Sequence, residues 1–371
     1  MDFAHRWGYE LVMPPLIEYL DSLLTGTGET LDLQTFKFID QHNGRSLGIR
    51  ADMTPQVARM DAHALSSDLP NRFFYTGSVL RARTDGAGSS RTPLQFGAEL
   101  FGHLGPESDA EIIQLMLGSA ALAGLGSDDV LLDVGHVGVY RALVEQCNLP
   151  AEIEKPLFQS LMRGSQPEVA TLLSANETIP GIALFSQHIT ALMRLSGSSE
   201  SVLESAREQL SDAGTEVHEA LDNLEAVINK VRSAYPTLRI HIDLAELRGY
   251  SYHTGILFTL YDRAGGVLAR GGRYDAIGEA FGKARPATGF SSDLIHLALA
   301  NRPIGDELQV ASSGIWVSNP EMQGVQECMV ALRDKGERVV TALAGSELTA
   351  ADCHCDRQLE LQDGQWTVTH L

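Results

Sequence analysis

The chain has 371 residues, 44% hydrophobic and 20% charged, an ordinary globular composition with enough material for two or three domains. Its 28 Lys and Arg stand against 48 Asp and Glu, a formal net charge of −20, so a large phosphate-neutralising nucleic-acid face is disfavoured and a metabolite or protein partner fits better. There is no run of eighteen apolar residues to span a membrane, no basic-then-apolar leader in MDFAHRWGYELVMPP, and only four cysteines, so a reducing, cytoplasmic setting is expected.

In chain order, residues 1–22 read as the end of a helix and then a strand, YELVMPPLIEY. FKFID, the turn QHNGR and SLGIRAD (36–52) read as a β-hairpin with Asn-Gly at the turn. TPQVARMDAHAL (54–65) reads as a helix with Thr54 as cap and Pro55 at its first position. NRFFYTGSVLRAR and RTPLQFGAELFG are predicted strands around the loop TDGAGSS (84–90). A largely apolar and therefore buried helix is predicted over 109–125, followed by the strand DVLLDVGHVG. From about 139 to 234 helical periodicity replaces the strand pattern, which predicts a helical insertion. Strands resume over 238–262 and end in GGVLARGGRYDAIGEAFG, and a helix DLIHLALAN follows. NRPIGDE (301–307) reads as a linker between a first domain, 1–300, and a small α/β domain, 308–371. The latter holds SGIWVSN, a helix near 321–336 and ERVVTAL. Hairpins with helices added, rather than strict βαβ alternation, argue for an antiparallel sheet and the α+β class.

Two segments suggest a small-molecule site. In TPLQFGAELF, Leu94, Phe96, Ala98 and Leu100 form one apolar face, and Gln95, Gly97 and Glu99 form the other. A polar face with a central glycine suggests a ligand lying across a sheet; a solvent-facing strand side is the alternative. RGYSYHTGILF (248–258), read as a strand, puts Tyr250, Tyr252 and Thr254 on one face and Ser251, His253 and Gly255 on the other. That rim would hydrogen-bond a small polar ring; core tyrosines with satisfied hydroxyls are the alternative. No metal is expected, because CHC (353–355) sets its thiols too close and has no second pair. There is neither a phosphate loop of the G-x-x-x-x-G-K-[ST] type nor a G-x-S-x-G elbow.

FAHRWGYELVMPPLIEY, IRADMT, TGSVLRARTDGAGSSRTPLQFGAELFG, ELRGYSYHTGILF, ARGGRYDAIGEAFG and ATGFSSDLIHLA occur in the order of a class II histidyl-tRNA synthetase catalytic domain. The resemblance covers most of residues 1–300, and LRGYSYHTG with GGRYD is its specific part. It implies a class II synthetase-like antiparallel sheet with flanking helices. It also implies a histidine pocket: Asp52 and Thr54 match the pair holding the α-amino group, and Arg81 matches a residue near the carboxylate. Gln95 and Glu99 match the readers of the amino group and imidazole. Arg248 matches the activating arginine, and Tyr252, His253 and Tyr274 match the tyrosines of the pocket. Asp52 replaces a family Glu and His253 a family Tyr.

The departures carry the functional expectation. The second motif's Arg-x-Glu reads Arg81-x-Arg83, a reversal of charge where a synthetase orients adenine, and the third motif's adenine-stacking Arg is His296. About seventy residues stand where a synthetase carries an anticodon-binding domain. Relative to the family pattern, Met1 falls inside the first motif's helix, so residues usual upstream are expected to be missing. This combination resembles the ATP phosphoribosyltransferase regulatory subunit family. The resemblance implies a non-catalytic chain without cofactor that joins a short catalytic subunit in histidine biosynthesis. It implies a homodimer core within a hetero-octamer of four regulatory and four catalytic chains, and histidine as feedback effector. Arg91 reads as a loop charge facing the partner or solvent. The competing readings are an amino-acid-activating enzyme and a histidine-sensing paralogue serving another pathway.

Overall fold

Alternation of large apolar and small or polar residues in Leu94–Phe101 makes a strand that is buried on both faces, and the main sheet is built outward from it. The structure is a computed structural model that describes residues 1–25, 29–63, 69–83, 90–250, 252–282, 284–301 and 313–371. Nine strands lie in the order Glu10–Leu11, Asn71–Ser78, Leu94–Phe101, Ala287–Asp293, Val267–Arg273, Ile256–Asp262, Val130–His136, Arg239–Asp243 and Ser196–Ser198. All neighbours pair antiparallel except the first pair and Val130–His136 with Arg239–Asp243. The antiparallel sheet and α+β class therefore stand as expected. One face is covered by the helices Pro106–Leu122 and Thr215–Ala234, whose buried Ile112, Ile113, Met116, Leu221, Leu224 and Ile228 join Ala98 and Leu100 in the principal core. Spacings of three and four residues in those helices give the apolar stripe that the sheet requires.

The predicted hairpin forms from Phe36–Ile39 and Ser46–Ile49, joined by Ile17–Tyr19 in a separate three-stranded sheet. Thr54 is the first residue of the Thr54–His63 helix, not its cap. Asp52 Oδ1 accepts the Thr54 N–H at 3.0 Å, which leaves the Thr54 hydroxyl to face Tyr75. The predicted end of this helix at 64–65, most of the loop 84–90 and most of the linker 301–307 lie outside the described residues. The buried helix starts at Pro106, after Gly105, and ends at Leu122 rather than running 109–125. The insertion forms six helices from Val137–Cys147 to Thr215–Ala234, interrupted by the three-residue strand Ser196–Ser198. No helix among the described residues is long and apolar enough to cross a membrane.

Residues 248–258 are not one strand. The chain leaves the sheet after Asp243 and returns at Ile256, with a turn at Gly249, whose φ is +74°. Strand alternation therefore does not assign the faces of Tyr250, Tyr252 and His253. The helices Leu20–Leu24 and Glu29–Gln34 and the terminal hairpin of Arg357–Gln362 with Gln365–His370 have no counterpart in the sequence reading.

The chain divides into two compact units, Met1–Asn301 and Arg302–Leu371. The second has a four-stranded sheet ordered Val339–Thr341, Ile315–Val317, Arg357–Gln362, Gln365–His370. The helix Val325–Asp334 supplies Val325 and Met329 to its small core beside Ile315, Val317 and Leu359.

Candidate functional site

The polar face of Leu94–Phe101 borders a cavity of about 450 Å³ in the first unit. Glu99 is 1% exposed and Gln95 2%, which removes the solvent-facing alternative for this strand side. Glu99 stands between two tyrosines. Tyr75 donates to its Oε1 at 2.9 Å, and the Tyr274 hydroxyl donates to Oε2. Burial, which penalises the charged carboxylate, holds the Glu99 pKa well above the ordinary range. Tyr75 in turn shares a 3.1 Å hydrogen bond with the Thr54 hydroxyl.

Gly97 makes room for this arrangement rather than for a ligand directly. It lies opposite Tyr75 in the register, and a Cβ there would stand 2.5 Å from the Tyr75 hydroxyl. Gln95 works one layer behind the wall. Its amide donates to Asp52 Oδ1 at 2.8 Å, and its carbonyl oxygen accepts the Met53 N–H at 3.0 Å. Gln95 thus fixes the orientation of Asp52, whose Oδ2 accepts no hydrogen bond among the described residues.

The opposite wall comes from the turn after Gly249. Tyr252 stacks on Tyr274 with ring centroids 5.1 Å apart and an interplanar angle of 25°. Its hydroxyl is buried and makes no hydrogen bond among the described residues. Burial beside Glu99 and Asp52 raises its pKa well above the tyrosine value, so it is a neutral donor that a bound acceptor would satisfy. The His253 ring lies 3.3 Å from the Arg273 carbonyl through Nδ1. A carbonyl only accepts, so Nδ1 carries the proton and Nε2 is left as an acceptor. Burial lowers the His253 pKa to about 4, so the ring is neutral at physiological pH.

Asp52, Thr54, Glu99, Arg248, Tyr252, His253 and Tyr274 all line this cavity. Arg248 is tied to Glu246, with Nε donating to Oε2 at 2.8 Å, and to the Tyr261 hydroxyl at 3.4 Å. Arg81 does not line it; Nε donates to the Ala51 carbonyl at 3.4 Å, and the residue bridges to Thr35. Tyr75 is the functional side chain that sequence reasoning missed. Its signal was the alternation Phe73, Tyr75, Gly77 facing Glu99, Gly97 and Gln95. Further along the cavity, Thr259, Arg270 and Ser291 share the same sheet face in one cross-strand row and form a polar floor. Among the described residues, no group of three or more His, Cys, Asp or Glu is placed to hold a metal ion.

The family model for histidyl-tRNA synthetase matches residues 1–297, and the model for the ATP phosphoribosyltransferase subunit HisZ C-terminal domain matches residues 312–369. An ATP phosphoribosyltransferase regulatory subunit from Thioalkalivibrio sulfidiphilus is 49% identical over all of this chain and 92% of its own length. One from Pseudomonas fluorescens is 47% identical over the same shares. The chain belongs to the ATP phosphoribosyltransferase regulatory subunit family.

Solved structures agree with this family's fold. An ATP phosphoribosyltransferase regulatory subunit/histidyl-tRNA synthetase from Bacillus halodurans superposes with a TM-score of 0.79 at 27% identity, covering 94% of this chain and 88% of that one. A histidyl-tRNA synthetase from Nostoc, at 20% identity and a TM-score of 0.77, covers 100% of this chain and 91% of its own and shares the fold. Two of the residues that depart from the synthetase pattern are exposed here. Arg83 lies at the surface, and so does His296 in the short helix Leu294–Leu299.

Proposed function

We propose that the chain is the non-catalytic regulatory subunit of ATP phosphoribosyltransferase, that it activates a short catalytic subunit, and that the 450 Å³ cavity takes histidine as feedback effector. Full-length identity to regulatory subunits and the matched C-terminal domain carry the first part. The observation that carries the second is Glu99, buried between the hydroxyls of Tyr75 and Tyr274 at the cavity wall. Protonated or ionised, its carboxyl group keeps lone pairs free after two tyrosine hydrogen bonds, so it still accepts an imidazole N–H. Asp52 and Thr54 hold the α-amino group in this reading, with Gln95 steadying Asp52. Tyr252 donates to the ligand, and the neutral His253 accepts from it. The α-carboxylate falls to Arg248 and Arg270 on the cavity wall, and Arg81 to a supporting role at Ala51.

For assembly, the reading is a homodimer core carrying catalytic chains in a hetero-octamer, in the cytoplasm. Leu11, Met13, Leu16, Ile17 and Ile39 are between 42% and 78% exposed around the first motif, the apolar surface that a second copy would cover. Calorimetry with histidine, on the chain alone and with the catalytic subunit, tests the cavity. Saturable binding to the chain alone supports it, and heat only when the catalytic subunit is present refutes it. Histidine-dependent ATP–pyrophosphate exchange by the pure chain would refute the non-catalytic reading.

A further inference from the structure

The turn that brings Tyr252 and His253 to the cavity is held from behind by the helical insertion. Tyr250 points away from the cavity. Its ring meets Tyr140 edge-on, with centroids 5.2 Å apart at 79°, and lies 5.4 Å from Phe158. Its hydroxyl donates to Glu154 Oε1 at 3.0 Å. Tyr140 belongs to the insertion helix Val137–Cys147, and Glu154 and Phe158 belong to Ala151–Met162. Arg141 closes the arrangement. Its Nη2 donates to the Tyr250 carbonyl at 3.2 Å and to the His253 carbonyl at 2.9 Å, and the guanidinium lies 5.2 Å from the centre of the Tyr250 ring. At the helix N-terminus, Val137 N–H donates to the Gly255 carbonyl at 3.0 Å. The carbonyls of residues 250, 253 and 255 thus all end on one insertion helix.

We propose that Arg141 and Tyr250 form a latch through which the helical insertion sets the Tyr252 and His253 wall of the histidine cavity. Arg141 is a positioning residue: it is not on the cavity wall and acts by fixing the curvature of the turn. Among the described residues between Asp243 and Ile256 there is no strand ladder, so these carbonyls depend on partners outside the sheet. A guanidinium bridging two carbonyls three residues apart supplies a planar, permanently charged clamp that lysine reproduces only in part. Coupling is reciprocal, so a ligand that orders the turn also tightens the insertion helix. The inference rests on the reading of the cavity as a histidine site, and it gives the insertion a part in sensing whether the cavity is filled.

Hydrogen exchange and histidine calorimetry on the full chain test this, with Arg141→Ala, Arg141→Lys, Tyr250→Phe and Leu143→Ala. Leu143 is buried in the same helix and serves as the control for general destabilisation. Arg141→Ala is expected to speed exchange of residues 249–255 by about tenfold or more. It is also expected to weaken histidine binding about ten- to hundredfold, with partial recovery in Arg141→Lys. Tyr250→Phe keeps the ring packing and should cost only a few-fold, roughly one hydrogen bond. Leu143→Ala should lower the melting temperature and leave histidine affinity within about twofold. Unchanged exchange of 249–255 in Arg141→Ala overturns the latch, and so does a loss of affinity in Leu143→Ala equal to that in Arg141→Ala. If the wild-type chain binds no histidine, the cavity reading fails, and the exchange result alone decides whether the latch exists.

Discussion

Glu99 lies over Gly289, its cross-strand partner, so closely that a Cβ on Gly289 would stand 1.6 Å from Glu99 Oε2 and 2.7 Å from the Ala98 carbonyl. The glycine is therefore a condition of the carboxylate's position. Gly289→Ala should push Glu99 away from Tyr274 and cost about 1–3 kcal/mol of stability through overpacking. Histidine binding should be lost with it. Urea denaturation and calorimetry check both, and retained affinity in a folded Gly289→Ala protein would contradict the assigned role of Glu99.

Burial also makes Glu99 a source of pH dependence. Its folded pKa is raised above the unfolded value of about 4.3, so the folded chain keeps a proton that the unfolded chain has lost. Stability from this group is fully present below the unfolded value and falls as pH rises toward the folded one. Glu99→Gln cannot ionise and should not show that fall. Its melting temperature relative to wild type should be higher at about pH 8 than at about pH 4, a direction set by the sign of the shift. An identical difference at both pH values would show that Glu99 titrates normally.

The sequence made the sheet legible because period-two alternation and turn residues are local signals, and Leu94–Phe101 shows the alternation. It also placed Glu99 and Gln95 on one face, since alternation alone decides that. It failed at 248–258, where aromatic, β-prone residues fill a turn whose carbonyls meet Arg141, more than a hundred residues away in the chain. Propensity carries no information about such a partner. The terminal hairpin was an overlooked signal, not an absent one. Asp363 and Gly364 have φ of +48° and +79° between Arg357–Gln362 and Gln365–His370, the Asp-Gly turn that a two-residue hairpin favours. Arg81 shows the limit of motif matching: the motif position is kept, yet the side chain reaches Ala51 and not the cavity wall.

Arg285 forms a buried ion pair with Asp61 of the Thr54–His63 helix, with Nη1 at 2.9 Å and 3.1 Å from the two carboxylate oxygens. Their side chains are 8% and 3% exposed, and Arg285 also donates to the Leu69 carbonyl at 2.7 Å. Asp61→Ala should cost about 3–5 kcal/mol, because it strands a buried cation. Replacing both, as Asp61→Leu with Arg285→Met, should recover most of that loss, since apolar packing commonly matches a buried pair. Denaturant titration of the single and double variants measures the coupling. Additive losses would mean that the two charges are screened from each other.

Glu99 and Gln95 should differ in how they fail. In the proposed site, Glu99→Ala would remove the acceptor for the imidazole N–H of histidine, and it leaves two tyrosine hydroxyls without their carboxyl partner. Leaving that N–H unpaired in a buried site costs roughly 1–3 kcal/mol, which is about five- to 150-fold in histidine affinity. Gln95→Ala leaves the ligand's contacts in place but frees Asp52 to rotate, so its cost should be smaller, of the order of one neutral hydrogen bond or about fivefold. Because feedback is a coupling between sites, the histidine inhibition curve of the assembled enzyme should move by a factor similar to the change in binding. Activation in the absence of histidine should persist in both variants. Inhibition unchanged by either substitution would make the cavity a relic and send the search for the effector site to the catalytic subunit.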